Sequence, residues 1–311
     1  NNCYVNNPVC TPSRCSMFTG KSITGHGVYR LHDIFPEDEV CFSKRLQNKG
    51  YKTALFGKLH ISGRAYEDDH RHSNDGFDIY RESKSPYISL KGNLNAYTEW
   101  LKENHPDFFA ELNEKGRKIG SFPEEAHLTR WVANNTIDFL KSHNKDIPFF
   151  CDMSIFDPHD PYNDVPEEML DLIDINKISD PILNEGESDN KPSGIQREHE
   201  HSYLGSFHDY SLEDIKRMRL GYYASIAFLD REVGRVLDTL EKEGLKDKTI
   251  VIFGSDHGDM LGDHELLAKG AFFYDQCTKV PLIMRYPEKI AKDIKVDELV
   301  QPHDLAATLL T

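Results

Sequence analysis

Short, largely apolar runs alternate with longer amphipathic stretches along this chain. Residues 51–57, YKTALFG, read as a buried strand, and so do 147–156, IPFFCDMSIF. TIVIFG at 249–254 and VPLIMRYP at 280–287 repeat the pattern. Between them lie helical patterns. Residues 13–20 open at Pro12-Ser13, with Ser13 as the expected N-cap and Gly20 as the stop. Residues 37–49, EDEVCFSKRLQNK, carry acids in the first turn and lysine near the end, as the helix dipole favours, and Gly50 follows. Residues 125–142 and 211–243 complete the set, the second closed by Gly244.

Continuous apolar strands separated by helices predict an α/β fold, with a mainly parallel central sheet covered by helices on both faces. Residues 157–210 break the pattern. They are rich in Asp, Asn, Pro, His and Ser, with a short helix expected at 166–173. This stretch reads as a loop insertion over the rim of a single domain spanning 1–311.

In such sheets chemistry gathers just beyond the C-terminal ends of strands. Three polar clusters fall there: Lys58-Leu59-His60, Asp157-Pro158-His159 and Ser255-Asp256-His257. Asp256 and His257 suit a divalent metal, and equally a helix cap beside a surface histidine. Two ligands alone do not complete a hard-cation site. Asp259, Asp263 and His264 read as polar loop residues. Lys58 and His60, two apart on an extended segment, share a side and suit an oxyanion and its leaving group, or a solvated strand end. His159 is flanked by two prolines that stiffen its loop, and Lys269, taken alone, reads as a surface lysine on a helix. Cys10 is open between a buried thiol and a low-pKa thiolate at a helix N-terminus, with Arg14 one turn on.

The net charge of −15 argues against nucleic acid as a partner, so an anionic substrate needs a local cationic site. No apolar run reaches the roughly 20 residues of a membrane helix. The six cysteines contain no CxxC pair and do not form a disulfide framework, though one disulfide is left open.

Four motifs tie these clusters together. CTPSRCSMFTGK at 10–21 resembles the sulfatase signature, Cys-x-Pro-Ser-Arg followed by Thr-Gly-Lys/Arg. GYKTALFGKLH at 50–60 resembles the family's second motif. FDPHDPY at 156–162 and IVIFGSDHGDMLGDHELLAKGAFFYD at 250–275 are similar to its histidine loop and its metal and lysine segment. The chain is identified as a member of the sulfatase family, within the alkaline phosphatase superfamily. SDHGDMLGDH and HGVYR look most like the arylsulfatase and choline-sulfatase branch.

The resemblance implies that Cys10 is oxidised by a dedicated maturase to formylglycine, whose hydrate attacks the sulfur of a sulfate monoester and later expels sulfate. Arg14 would stabilise the hydrate, and Lys58 and Lys269 would hold sulfate oxygens. His60 would act as base, and His159 would assist the leaving group. Modified Cys10, Asp256 and His257 would bind Ca²⁺, with Mg²⁺ or Mn²⁺ less easily excluded where His257 replaces a harder ligand. The implied partners are a sulfated small molecule or glycan, and the maturase during biosynthesis.

Alternatives from the resemblance are a phosphonate or phosphodiester hydrolase of the superfamily, which Lys58 and His60 disfavour, and a non-catalytic sulfoglycan-binding relative. The family's Asp-Asp metal pair and small C-terminal domain have no counterpart in this sequence, so a fragment is expected. No leader is seen, and the reading leans to a cytoplasmic or periplasmic bacterial protein. Specificity is expected from loops 61–125 and 160–210, with Tyr87, Trp100, Tyr162 and Tyr203 as candidates for stacking on substrate.

Overall fold

The computed structural model describes residues 2–87, 94–120 and 122–311. Residues 88–93 of the expected specificity loop lie outside the described residues. Helix α1 spans Cys10–Thr19 and α2 Phe42–Asn48, followed by strands β1 (Lys52–Gly57) and β2 (Ile79–Glu82). Then come α3 (Ala96–Asn104), α4 (Leu128–Ser142), β3 (Phe149–Ser154), α5 (Ser193–His201), α6 (Leu212–Lys242), β4 (Val251–Gly254), β5 (Leu282–Arg285) and α7 (Asp304–Leu310).

Strand β1 is the centre of a parallel sheet of order β2-β1-β3, with Ala54 opposite both Ile79 and Cys151. Its side chains alternate between two cores, as the strand period requires. Ala54 and Phe56 join Trp131, Val132 and Phe139 of α4 and Val236 and Leu240 of α6. Leu55 joins Cys15 and Phe18 of α1, Phe42 and Leu46 of α2, and Ala306 of α7. Helices therefore cover both faces, as the alternation of apolar runs predicts.

Several boundaries differ from the sequence reading. Helix α1 begins at Cys10, one turn earlier than expected. Val9 is its N-cap without a side-chain hydrogen bond, and Ser13 lies inside the helix. Helix α2 is shorter than 37–49 because Glu37 and Glu39 turn outward, Glu37 to Tyr66 and Glu39 to Lys21. Within 157–210 the expected helix is only Glu167–Leu170, while α5 was not anticipated. The long α6 matches its pattern because a Ser211–Asp214 capping box starts it. Strands β4 and β5 pair antiparallel with each other, not with the three-stranded sheet, and leave Ile283 62% exposed. An apolar run does not reveal its pairing direction.

One close approach positions the 157–162 loop. A Cβ on Gly221 of α6 would lie 1.7 Å from the Tyr162 carbonyl oxygen. Gly221→Ala must push that loop off the helix. The expected cost is about 2 kcal/mol, the order found for overpacking, read as a lower midpoint in urea unfolding.

Candidate active site

The N-terminal turn of α1 and the ends of β1, β3 and β4 meet at one rim. Arg14, on α1, links that helix to all three strand ends. Its Nε donates to Asp256 Oδ2 at 2.7 Å, and its Nη1 donates to the Lys58 carbonyl at 2.8 Å and to Ser154 Oγ at 3.1 Å. Ser13 donates to the Asp256 carbonyl at 2.5 Å, and Ser154 to the Lys58 carbonyl at 2.5 Å. Ser13 is thus a strut between α1 and the β4 loop.

Cys10 is the focus, only 3% exposed. Its Sγ lies 3.0 Å from His257 Nε2, while His257 Nδ1 donates to the Gly258 carbonyl at 2.7 Å. Burial alone would push the unmodified thiol up, but Lys58, His257 and His159 hold it well below the usual thiol range. Burial also opposes charge on His257, yet the facing thiolate and Asp256 raise its pKa to about 9. His60 stays neutral at physiological pH, because burial and then Lys58 push it down to about 4. One ring nitrogen of His60 faces Thr11 Oγ1 at 3.4 Å, and Nδ1 has no partner. Positive groups thus surround an atom with room for negative charge. That field would hold a sulfate anion as it holds the thiolate.

A second cluster stands beside the first. Lys269 Nζ donates to His159 Nε2 at 3.0 Å and to Asp160 Oδ1 at 2.7 Å. Burial lowers the Lys269 pKa less than Asp259 and Asp160 raise it, so the ammonium keeps its proton. Asp160 also accepts from Tyr203 Oη at 2.7 Å and from Arg117 Nη1 at 2.8 Å. Against its burial, His159 and Lys269 hold Asp160 well below the usual carboxylate range. The His159 ring stacks on Phe156 at 4.5 Å, and Lys58 Nζ lies 5.5 Å over the same ring. This arrangement can deliver a proton to a departing oxygen.

Among the described residues, Cys10, Asp256 and His257 form one group of side chains able to share a metal ion, with ligand atoms within 4.8 Å of one another. Asp256 Oδ2 is taken by Arg14, leaving Oδ1 for an ion. Burial would raise the Asp256 pKa, but Arg14 and His257 keep it ionised. This set fits one wall of a hard-cation site. The remaining oxygens must come from modified Cys10, substrate, water or other residues.

The sulfatase family model matches residues 1–311. The chain belongs to the sulfatase family. It is 29% identical to an arylsulfatase of Clostridium perfringens over 99% of this chain and 66% of that protein. It is also 29% identical to an N-acetylglucosamine-6-O-sulfatase of Bacteroides thetaiotaomicron, over 99% of this chain and 60% of that protein. The chain thus spans about two thirds or less of the length of these relatives. Among solved structures, a phosphonate monoester hydrolase of Agrobacterium radiobacter superposes with TM-score 0.83 at 22% identity, covering 99% of this chain and 65% of that one. That likeness concerns the fold.

In this sulfatase chain Cys10, Arg14, Lys58, His60, Asp256 and His257 form the first cluster, and His159 and Lys269 the second. Three of the stacking candidates are packing residues instead. Tyr87 is buried and donates to Asp164, Tyr162 is buried and donates to Asp259, and Trp100 packs on Tyr97 and Trp131. Tyr203, 56% exposed, remains on the rim with Lys269 Nζ 5.1 Å over its ring. Sequence reasoning missed Asp160, although it sits beside His159, because an Asp-Pro pair reads first as a turn. Arg117 carried no local signal at all. No helix among the described residues is long and apolar enough to cross a membrane.

Proposed function

We propose that this chain is the catalytic part of a formylglycine-dependent hydrolase of sulfate monoesters, with a sulfated sugar or other small alcohol ester as substrate. The observation that carries the reading is the convergence of Lys58, His60, His159 and His257 on Cys10. The hydrated aldehyde made from Cys10 supplies one hydroxyl to attack sulfur and a second whose deprotonation releases sulfate. Lys58 and Lys269 hold the sulfate oxygens. Neutral His60 takes a proton from the hydroxyl beside it, and the Lys269 ammonium, steered by its hydrogen bond to His159 Nε2, gives one to the departing alcohol oxygen. Arg14 fixes Asp256 and the Lys58 carbonyl relative to α1. A divalent ion held by Asp256 Oδ1, His257 and modified Cys10 would act there as a Lewis acid, and Ca²⁺ is the proposed ion.

The thiol of Cys10 is nearly inaccessible, so the maturase must act before this rim closes. The sulfated sugar is proposed from the printed activity of the Bacteroides relative, the N-acetylglucosamine-6-O-sulfatase.

Parallel assays of aryl sulfate, aryl phosphate and phosphonate monoester hydrolysis test the reading. Preferred turnover of the sulfate ester supports it, and preferred turnover of the phosphonate overturns it. Chelating divalent ions is expected to abolish turnover, and adding Ca²⁺ to restore it. Asp256→Asn is expected to raise the Ca²⁺ concentration for half-activity by at least about tenfold, measured by titration of the apo-enzyme.

A further inference from the structure

The loop 58–62 carries both Lys58 and His60, and its conformation is strained. His60 has φ 55°, the left-handed region that costs a non-glycine residue about 1–2 kcal/mol. Such a residue turns successive amides toward one point and makes a concave anion-binding nest. Here the acceptor belongs to the protein. Glu67 Oε1 accepts the Ile61 amide at 2.9 Å and the Ser62 amide at 2.8 Å. Glu67 is 5% exposed, and its other oxygen has no hydrogen-bond partner.

A second acid closes the nest. Glu82 ends β2 directly opposite Gly57, the residue before Lys58, and is 1% exposed. Its Oε2 accepts Tyr80 Oη at 2.9 Å, its Oε1 has no partner, and the Leu59 amide faces it. Lys84 Nζ stands 3.9 Å from Glu82 and 3.3 Å from Asp68. From the α1 side, Cys15 Sγ donates to the Ile61 carbonyl at 3.0 Å, so the nucleophile helix and the loop share this support.

We propose that Glu67 and Glu82 are positioning residues, a buried carboxyl pair that holds the 58–62 loop in its strained form and so sets the Lys58 ammonium and the His60 ring against Cys10. The proposal rests on the sulfatase reading only for what Lys58 and His60 then do. It is distinct from the reacting groups, because neither acid touches Cys10, Asp256 or His257.

The pair also carries a pH dependence. Burial, then repulsion from Glu82, holds Glu67 well above the usual carboxylate range, and burial raises Glu82 as well despite Lys84 and Tyr80. The titratable and charged groups facing the pair are Lys84, Asp68, Tyr80 and Cys15. For a carboxyl raised above its unfolded value, the folded state binds more protons between the two values. Ionising the buried pair therefore costs the folded segment stability as pH rises from the ordinary carboxylate range toward the raised values, although the Ile61 and Ser62 amides themselves favour the carboxylate.

Hydrogen exchange of the 58–63 segment and steady-state hydrolysis of p-nitrophenyl sulfate by the matured chain test this together. Glu67→Gln keeps an acceptor for both amides. It should preserve protection and kcat/KM within about threefold, and reduce the extra loss of protection as pH rises above about 5. Glu67→Ala and the shorter Glu67→Asp should exchange Ile61 and Ser62 about tenfold faster or more. They should also lower kcat by about 10²-fold with KM little changed, as expected when reacting groups are misplaced by about 1 Å. Should the alanine variant fail to fold, the aspartate variant decides. Wild-type protection at Ile61 and Ser62 in Glu67→Asp would overturn the proposal, and so would unchanged kcat. If the wild-type chain does not hydrolyse the sulfate ester, the hydrolase reading fails while the exchange comparison still decides the role of the acids.

Discussion

Lys269→Met should lower kcat/KM by about 10³-fold on a sugar or alkyl sulfate, and by only about tenfold on p-nitrophenyl sulfate. The difference follows from the leaving group. A nitrophenolate departs without a proton, so that substrate loses only the charge that Lys269 contributes to the sulfate oxygens. A sugar alkoxide needs a proton as the S–O bond breaks, and Lys269 is the ammonium 3.0 Å from His159 Nε2. Methionine keeps the volume and the unbranched stem. Asp160 retains Arg117 and the Tyr203 hydroxyl as partners, so the fold should survive. His159→Ala should show the same dependence on the leaving group. A plot of log kcat/KM against leaving-group pKa should therefore be steeper for both variants than for the parent chain. Equal losses on both substrates would place Lys269 at the sulfate alone.

Cys10→Ala should cost on the order of 10⁴-fold or more in kcat, because it removes the atom that becomes the nucleophile. The variant should keep its fold, since it vacates the space of one sulfur. It should also keep sulfate affinity, because Lys58 and Lys269 remain. Cys15→Ala is the control. Cys15 lies five residues on in the same helix, fully buried, with burial pushing its thiol up. Losing its hydrogen bond to the Ile61 carbonyl should cost about 1 kcal/mol of stability. Equilibrium sulfate titration with turnover on the same samples separates the two cysteines. Residual activity of Cys10→Ala near that of the parent would remove Cys10 from the chemistry.

Much of this architecture is legible in the sequence, for identifiable reasons. The strand before Lys58 is a continuous apolar run ended by glycine, and β1 occupies 52–57 of the expected 51–57. Helix α6 is legible because its capping box and closing glycine mark both ends. The start of α1 is not, because Ser13 has the side chain of an N-cap but donates to the Asp256 carbonyl, a partner 243 residues away. The antiparallel pairing of β4 with β5 is equally hidden, since pairing direction leaves no trace in an apolar run. At the site, the residues on strand ends were found because motif order and strand ends coincide. Asp160, Arg117, Glu67 and Glu82 were not. Their roles depend on long-range contacts, and an acid or arginine in a polar loop reads as solvated until its partner is known.

Peptide mass spectrometry across Cys10 tests the central claim most directly, on protein made in its native host or with a maturase. Conversion of CH₂SH to an aldehyde removes about 18 Da, and Cys15 should keep its thiol mass in the same peptide. That loss at Cys10 alone is the predicted result. An unmodified Cys10 in a maturase-competent host would contradict the formylglycine mechanism.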